Sequence, residues 1–229
     1  MNDTLIDAYT KLLSRDRGVE EIGNDGRHRI WFPSVFFVTQ LLNPNATFED
    51  MKRSAKKFHA QWQKLGWIVA PCNVSYNTNE NGGNHWACAV VDFTQQRIRY
   101  YDSIYNEHTL HWGWKIMRAL YDYVVAMTQN LSNNAVSIDW GNPDNFMSCV
   151  APTLDESDEE GDDDQERMPQ QSDGEYLGND CGAFVCQTMK CLTRPSPERR
   201  RIDFTQDDIP FLRRGMCLEL EGGKVMDEL

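Results

Sequence analysis

No long apolar run occurs in this chain. The longest uncharged stretch, residues 30–48, is interrupted by Pro33, Gln40, Asn43, Pro44 and Asn45. A membrane span needs about 20 consecutive apolar residues, so this stretch reads as buried helix and loop, and no membrane is expected as a partner. A disulfide framework is also lacking: the seven Cys are odd in number and their spacings form no pattern of pairs, which points to reduced thiols and a nuclear and/or cytoplasmic setting. Met1-Asn2-Asp3-Thr4-Leu5 has no basic region followed by an apolar one, so no secretory leader is expected. The closing Met226-Asp227-Glu228-Leu229 looks faintly like a retention tail, but without a leader it is read as coincidence. Internal repeats are absent. Metal-ligand patterns are weak. Cys181, Cys186 and Cys191 lie five apart, about 140° of helical rotation per step, so they cannot share one face. His108 and His111 have no third ligand near them and read as a solvated helix start. No metal and no other cofactor is expected.

Basic charge is scarce as well. Lys and Arg number 23 against 35 Asp and Glu, for a net charge of −12. The deficit is local: residues 155–167 hold nine acids and one Arg, which leaves only about −4 for everything else. This balance disfavours nucleic-acid binding. The tract at 154–167 has no apolar periodicity and is expected to be a disordered, solvated insertion. Steering of basic surfaces, or cover over a nearby site, is its sharper reading. Lys52-Arg53 with Lys56-Lys57 resembles a nuclear-import patch, though a charged helix face explains it equally well. Arg199-Arg200-Arg201 reads as a loop.

What is present argues for one folded unit. At 229 residues, with 40 % apolar content and seven Trp, residues 1–229 can bury a substantial core as a single domain. Leu5, Ile6, Tyr9, Leu12 and Leu13 recur at helical spacing behind Asp3 or Thr4. Residues 34–42 suit a second helix, and 48–65 a third through Met51, Ala55, Phe58 and Trp62. Trp67-Ile68-Val69-Ala70 reads as a strand ended by Pro71. The Asn- and Gly-rich residues 73–84 form a loop. Strands follow at 86–93 and 97–101, joined by a turn at Thr94-Gln95-Gln96. Residues 108–127 are helical, 135–140 suggest a strand, and 181–192 form a buried helix ended before Pro195. A last helix runs through Phe204, Ile209, Phe211, Leu212, Met216 and Leu220. The fold class is α+β, a central mixed sheet flanked by helices.

Chemistry concentrates at the edges of these elements. His85-Trp86 opens one strand, Tyr100-Tyr101-Asp102-Ser103 closes its neighbour, and Asp180-Cys181-Gly182 opens the buried helix. A thiol, an imidazole and a carboxylate are the parts of a cysteine hydrolase. A helix N-terminus favours the thiolate form of Cys181, and Gly182 admits a close substrate backbone. The order His, Asp, Cys rules out a papain-type chain order, in which Cys comes first. Taken singly each piece has a plainer reading: a surface His, an Asp helix cap, a small core Cys. The set carries the argument.

Those three blocks resemble, in the same order, the catalytic blocks of the SUMO-specific (Ulp/sentrin-type) cysteine proteases. Asn2-Asp3-Thr4-Leu5-Ile6-Asp7 looks like that family's opening motif. Phe204-Thr205-Gln206-Asp207-Asp208-Ile209-Pro210, with Arg213-Arg214-Gly215-Met216, looks like its closing segment. The resemblance therefore covers essentially the whole chain. It implies a papain-like, adenain-related α+β fold and a thiol protease/isopeptidase, acting as a monomer on SUMO or a related modifier and its conjugates. Cys181 would be the nucleophile, His85 the general base and acid, and Asp102 the orienting carboxylate. The oxyanion-hole Gln would lie in Pro169-Gln170-Gln171-Ser172, with Gln171 favoured over Gln170. It stands ten residues before Cys181, where the family spacing is six. Trp86 would cover a narrow channel that admits only the modifier's Gly-Gly tail, a specificity by steric exclusion. A second Trp found in many members just before the opening motif is not present, so either the chain is trimmed there or its channel is built differently. Two other readings stand beside this one: the same chemistry on a cullin-type modifier or ubiquitin, and a catalytically inactive modifier-binding module.

Overall fold

The structure is a computed structural model that describes residues 3–17, 29–74, 83–104, 106–131, 138–150, 168–169, 180–196 and 199–227. The acidic tract at 154–167 lies outside the described residues, as do Gln170 and Gln171. The elements follow in chain order as α1 (Asp3–Arg17), β1 (Arg29–Trp31), α2 (Phe37–Leu41), α3 (Phe48–Ser54), a 3-10 helix (Lys56–Lys64), β2 (Leu65–Val74), β3 (His85–Asp92), β4 (Arg97–Tyr101), α4 (Glu107–Leu131), α5 (Pro143–Phe146), β5 (Met147–Val150), α6 (Cys181–Leu192), a 3-10 turn (Gln206–Asp208) and α7 (Ile209–Gly222).

The five strands form one mixed sheet in the order β1-β2-β3-β4-β5. β3 is antiparallel to both β2 and β4, and the two outer strands run parallel to their neighbours. Side chains alternate across the pleat, so β3 faces two cores. Trp86, Cys88 and Val90 join the core under α1, α6 and α7. Ala87, Ala89 and Val91 join the core under α2, α3 and α4. The small Ala positions let α4 lie close. At Gly113 of α4 an added Cβ would stand 2.6 Å from Tyr100 Cδ1 and 2.9 Å from Cys149 Sγ. The β3–β4 turn is held by Asp92, whose Oδ1 accepts from the backbone N–H groups of Thr94 and Gln95.

Three local readings of the sequence are corrected. The apolar stripe Met51, Ala55, Phe58, Trp62 is buried as expected, yet the helix breaks at Ala55. A capping box between Thr47 and Asp50 starts α3. Ala55 N–H then bonds to Lys52 O, and Phe58 N–H to Ala55 O, so the chain tightens to the three-residue winding. Pro71 does not end β2. It pairs with Cys88, and β1 reaches only from Leu65 to Ile68, so β1 does not extend across from Pro71 on that side. Strand proline is tolerated where its missing N–H faces no partner. Finally, residues 138–140 form no strand; β5, a few residues further on, takes the place beside β4.

Candidate active site

β3 begins with His85, and β4 ends one residue before Asp102. The ladder pairs Cys88 with Tyr101, so Asp102 comes one step beyond it, and alternation puts Asp102 on the same face as His85. His85 Nε2 lies 2.6 Å from Asp102 Oδ1. Both residues are buried. Asp102 is in turn fixed by two donors: the Tyr100 hydroxyl gives a hydrogen bond to Oδ2 (2.9 Å), and the Ile104 N–H gives one to Oδ1 (2.8 Å). With Nε2 on the carboxylate, Nδ1 is the nitrogen left to reach a nucleophile.

The candidate nucleophile comes from the opposite layer. Cys181 is the first residue of α6, a helix packed across β3. Its sulfur is hydrogen-bonded to the His85 side chain and to the Trp86 backbone N–H. Thiol, imidazole and carboxylate thus form one bonded line where β3 begins. Gly182, next in the chain, is buried, and the Trp86 indole is buried in the core on the α6 side.

The electrostatics separate this thiol from the others. Burial pushes the thiols of Cys72, Cys88, Cys149, Cys186 and Cys191 up, Cys149 to about 11 and Cys191 to about 12. Burial acts on Cys181 in the same direction. There, however, the hydrogen bond and charge of His85 and the Trp86 N–H outweigh it, and the thiol is lowered. For His85, burial alone disfavours the cation. The Asp102 carboxylate overrides that, and with the bond to Cys181 raises the imidazole from 6.5 to about 10. Both shifts favour a thiolate–imidazolium pair, the reactive form of a nucleophilic cysteine. Cys181 is the one cysteine among the described residues that is shifted downward.

The residues singled out by the sequence thus divide. Cys181, His85 and Asp102 come together, with Trp86 and Gly182 as their immediate chain neighbours. Gln170 and Gln171 lie outside the described residues, although Met168 just before them is buried and accepts a hydrogen bond from Thr188 of α6. Among the described residues no group of three or more His, Cys, Asp or Glu could hold a metal ion. Tyr100 stands in the sequence motif with no role of its own; alternation along β4 puts it on the same face as Asp102. The bond network of Asp180, described below, has no signal in the sequence.

A five-stranded mixed sheet, crossed by a helix whose first residue is a cysteine and flanked by a His–Asp pair at the strand ends, defines the papain-like α+β class. Residues 1–222 match the family model "Ulp1 protease family, C-terminal catalytic domain", and the chain belongs to that family. A sentrin-specific protease of Caenorhabditis elegans is 24 % identical over 226 residues, covering 99 % of this chain and 26 % of that protein; the chain spans about a quarter of this curated relative. Among solved structures, the C-terminal Ulp1 protease domain in complex with Smt3, the yeast ortholog of SUMO, matches with a TM-score of 0.65 at 20 % identity, covering 97 % of this chain and 77 % of that one. Ulp1 with its catalytic cysteine oxidised to a sulfonic acid matches equally, with a TM-score of 0.65 at 20 % identity and coverage of 98 % and 79 %. Among the described residues no helix is long and apolar enough to cross a membrane.

Proposed function

We propose that the chain is a single catalytic domain of a thiol protease and isopeptidase that cleaves after the C-terminal Gly-Gly of SUMO-type modifiers, in a nuclear and/or cytoplasmic setting. One observation carries the reading: in a chain of the Ulp1 protease family, the Cys181 thiol, alone among the described cysteines, is pulled toward the thiolate by a His85 held on Asp102. The family relatives support the substrate class, since one of the similar structures holds SUMO's yeast ortholog.

In this mechanism the Cys181 thiolate attacks the carbonyl carbon of the modifier's last glycine. The carbonyl oxygen becomes an oxyanion, which the Cys181 N–H and a Gln side-chain amide stabilise, each donor contributing about 3 kcal/mol. Gln171 is the residue we assign, with Gln170 as the alternative. As the oxyanion collapses the C–N bond breaks, and the His85 imidazolium gives its proton to the departing amine. Water then attacks the thioester while neutral His85 accepts its proton. The modifier leaves with a free carboxylate, and the thiolate–imidazolium pair is restored. Asp102 keeps the imidazole oriented throughout. Trp86 is assigned the roof of the Gly-Gly channel, with Gly182 below.

The test is incubation with SUMO, a cullin-type modifier and ubiquitin, each carrying a C-terminal electrophile, beside a Cys181→Ala control. A covalent adduct with SUMO that is lost in the control is the expected result. An adduct confined to another modifier would move the substrate, and no adduct with any of them would overturn the protease reading.

A further inference from the structure

An Asp immediately before a helix is ordinarily its cap, in extended backbone with its carboxylate on the helix's first N–H groups. Asp180 departs from this in both respects. Its backbone is helical, at φ −84° and ψ −19°, and its side chain makes no capping bond to α6. The carboxylate is buried and points away toward the end of the chain. Its Oδ2 accepts from Gln206 Nε2 at 3.1 Å, and its Oδ1 accepts from the Arg213 guanidinium. The Asp180 backbone oxygen still serves the helix, accepting from the N–H groups of Ala183 (2.7 Å) and Phe184 (3.0 Å). Gln206 is itself placed by a capping box between Thr205 and Asp208 at the turn leading into α7.

The alternative position of this side chain shows what the clamp prevents. A carboxylate swung back onto the first turn of α6 would put a negative charge beside the sulfur and occupy N–H groups that favour the thiolate. The charged groups around the sulfur would then be His85, with Asp102 behind it, opposed by a new anion from its own chain neighbour. With Arg213 in place, the carboxylate is neutralised and turned away.

We propose that Arg213 and Gln206 make Asp180 a positioning residue, holding its carboxylate off the α6 N-terminus so that the helix end acts on the Cys181 sulfur. The closing segment of the chain is then part of the nucleophile's support. This rests on the protease reading above, and it assigns work to the segment from Gln206 to Arg213 that folding alone does not require.

The experiment is the pH profile of Cys181 alkylation by iodoacetamide, followed by mass spectrometry on the whole chain. Four proteins are compared: parent, Arg213→Gln, Arg213→Lys, and Arg213→Gln with Asp180→Asn. In Arg213→Gln only the cation is lost, and the alkylation midpoint is expected to rise by about half a pH unit, with rates on the acid side of the midpoint about threefold lower, the size of a charge effect at a helix terminus. Asp180→Asn in that background removes the charge and returns the midpoint toward the parent value; Arg213→Lys stays close to the parent. A purely structural role would leave the double variant as impaired as the single one, which would overturn the proposal, as would an unchanged midpoint in Arg213→Gln. The protease reading fails separately, if the parent's own alkylation does not depend on His85.

Discussion

The layer of α2, α3 and α4 closes on the sheet with a cluster of aromatic rings, whereas the layer of α1, α6 and α7 adds buried charges to its apolar core. In the first, the Trp31 ring lies 5.1 Å from that of Phe37 and 5.6 Å from that of Phe58, and Trp62 and Tyr123 complete the group. In the second, Glu219 of α7 is buried and accepts from three groups: the Tyr9 hydroxyl at 2.6 Å, Lys190 Nζ at 2.7 Å and the Met226 N–H at 2.7 Å. Arg194, just past α6, grips Asp203 through two bonds. Ring packing is broad and tolerant of small shifts, while buried ion pairs are directional and costly when a partner is lost. The site draws on both. Alternation puts His85 and Asp102 on the aromatic side of the sheet, and Cys181 is held from the charged side. His85 and Asp102, held by their own directed bonds, are thus backed by the aromatic core, and Cys181 by the layer that carries the ion pairs.

The sharpest way to break that division is at the carboxylate. Asp102→Asn keeps the shape but removes the charge that outweighs burial at His85, and kcat is expected to fall by about three orders of magnitude. Stability gives a second readout. The folded His85 lies above its ordinary 6.5, so the stabilisation it draws from Asp102 is complete below that value and is lost as pH rises toward about 10. With Cys181→Ala in both proteins, so that the thiol does not titrate alongside, the Tm advantage of the protein that keeps Asp102 over its Asp102→Asn counterpart should shrink as pH rises above 6.5, since Asp102 alone still raises the imidazole. An advantage that grows with pH would contradict the assignment of the shift to Asp102.

On the charged side the expected effect is on folding. Glu219→Leu strands the Lys190 ammonium, which is buried, and leaves the Tyr9 hydroxyl without this acceptor. The cost is about 3–5 kcal/mol, or roughly 10 °C in Tm for a domain of this size. Adding Lys190→Met should recover most of it, because the penalty belongs to the uncompensated charge. A double variant as unstable as the single one would mean that this layer, too, is held by area, and the contrast between the layers would fall.

Legibility in the sequence follows the range of the interactions. α6 and β4 take their predicted bounds because local signals mark them: Asp180-Cys181-Gly182 and Pro195 for the helix, alternation and a turn for the strand. β1 and β5 are not legible. They are three and four residues long and pair in parallel with β2 and β4 across intervening helices, so neither carries a local pattern. The sequence reading stops the second strand at Pro71 because tolerance of that proline depends on where β1 ends. The three site residues are legible because each stands at the edge of an element. The bond from Asp180 to Arg213 spans 33 residues, so no local pattern carries it and only the packing of α7 against α6 reveals it.

Tyr100 tests the comparison most finely, because it belongs to both kinds of contact. Its ring is buried in the aromatic-side core, with Gly113 of α4 leaving no room for a Cβ against it, while its hydroxyl makes a directional bond to Asp102. Tyr100→Phe keeps the packing and deletes only that bond. A hydrogen bond to a charged group contributes about 1.5–3 kcal/mol, but Asp102 keeps the Ile104 N–H and His85, so kcat should fall about tenfold at most with KM unchanged. The pH profile shows which part of the contact matters. With one donor fewer, the Asp102 charge is less dispersed and holds the His85 proton more strongly, so the alkaline limb of activity should move upward. An unchanged kcat with that limb in place would assign Tyr100 to packing alone, and would leave Asp102 oriented by the Ile104 N–H and His85.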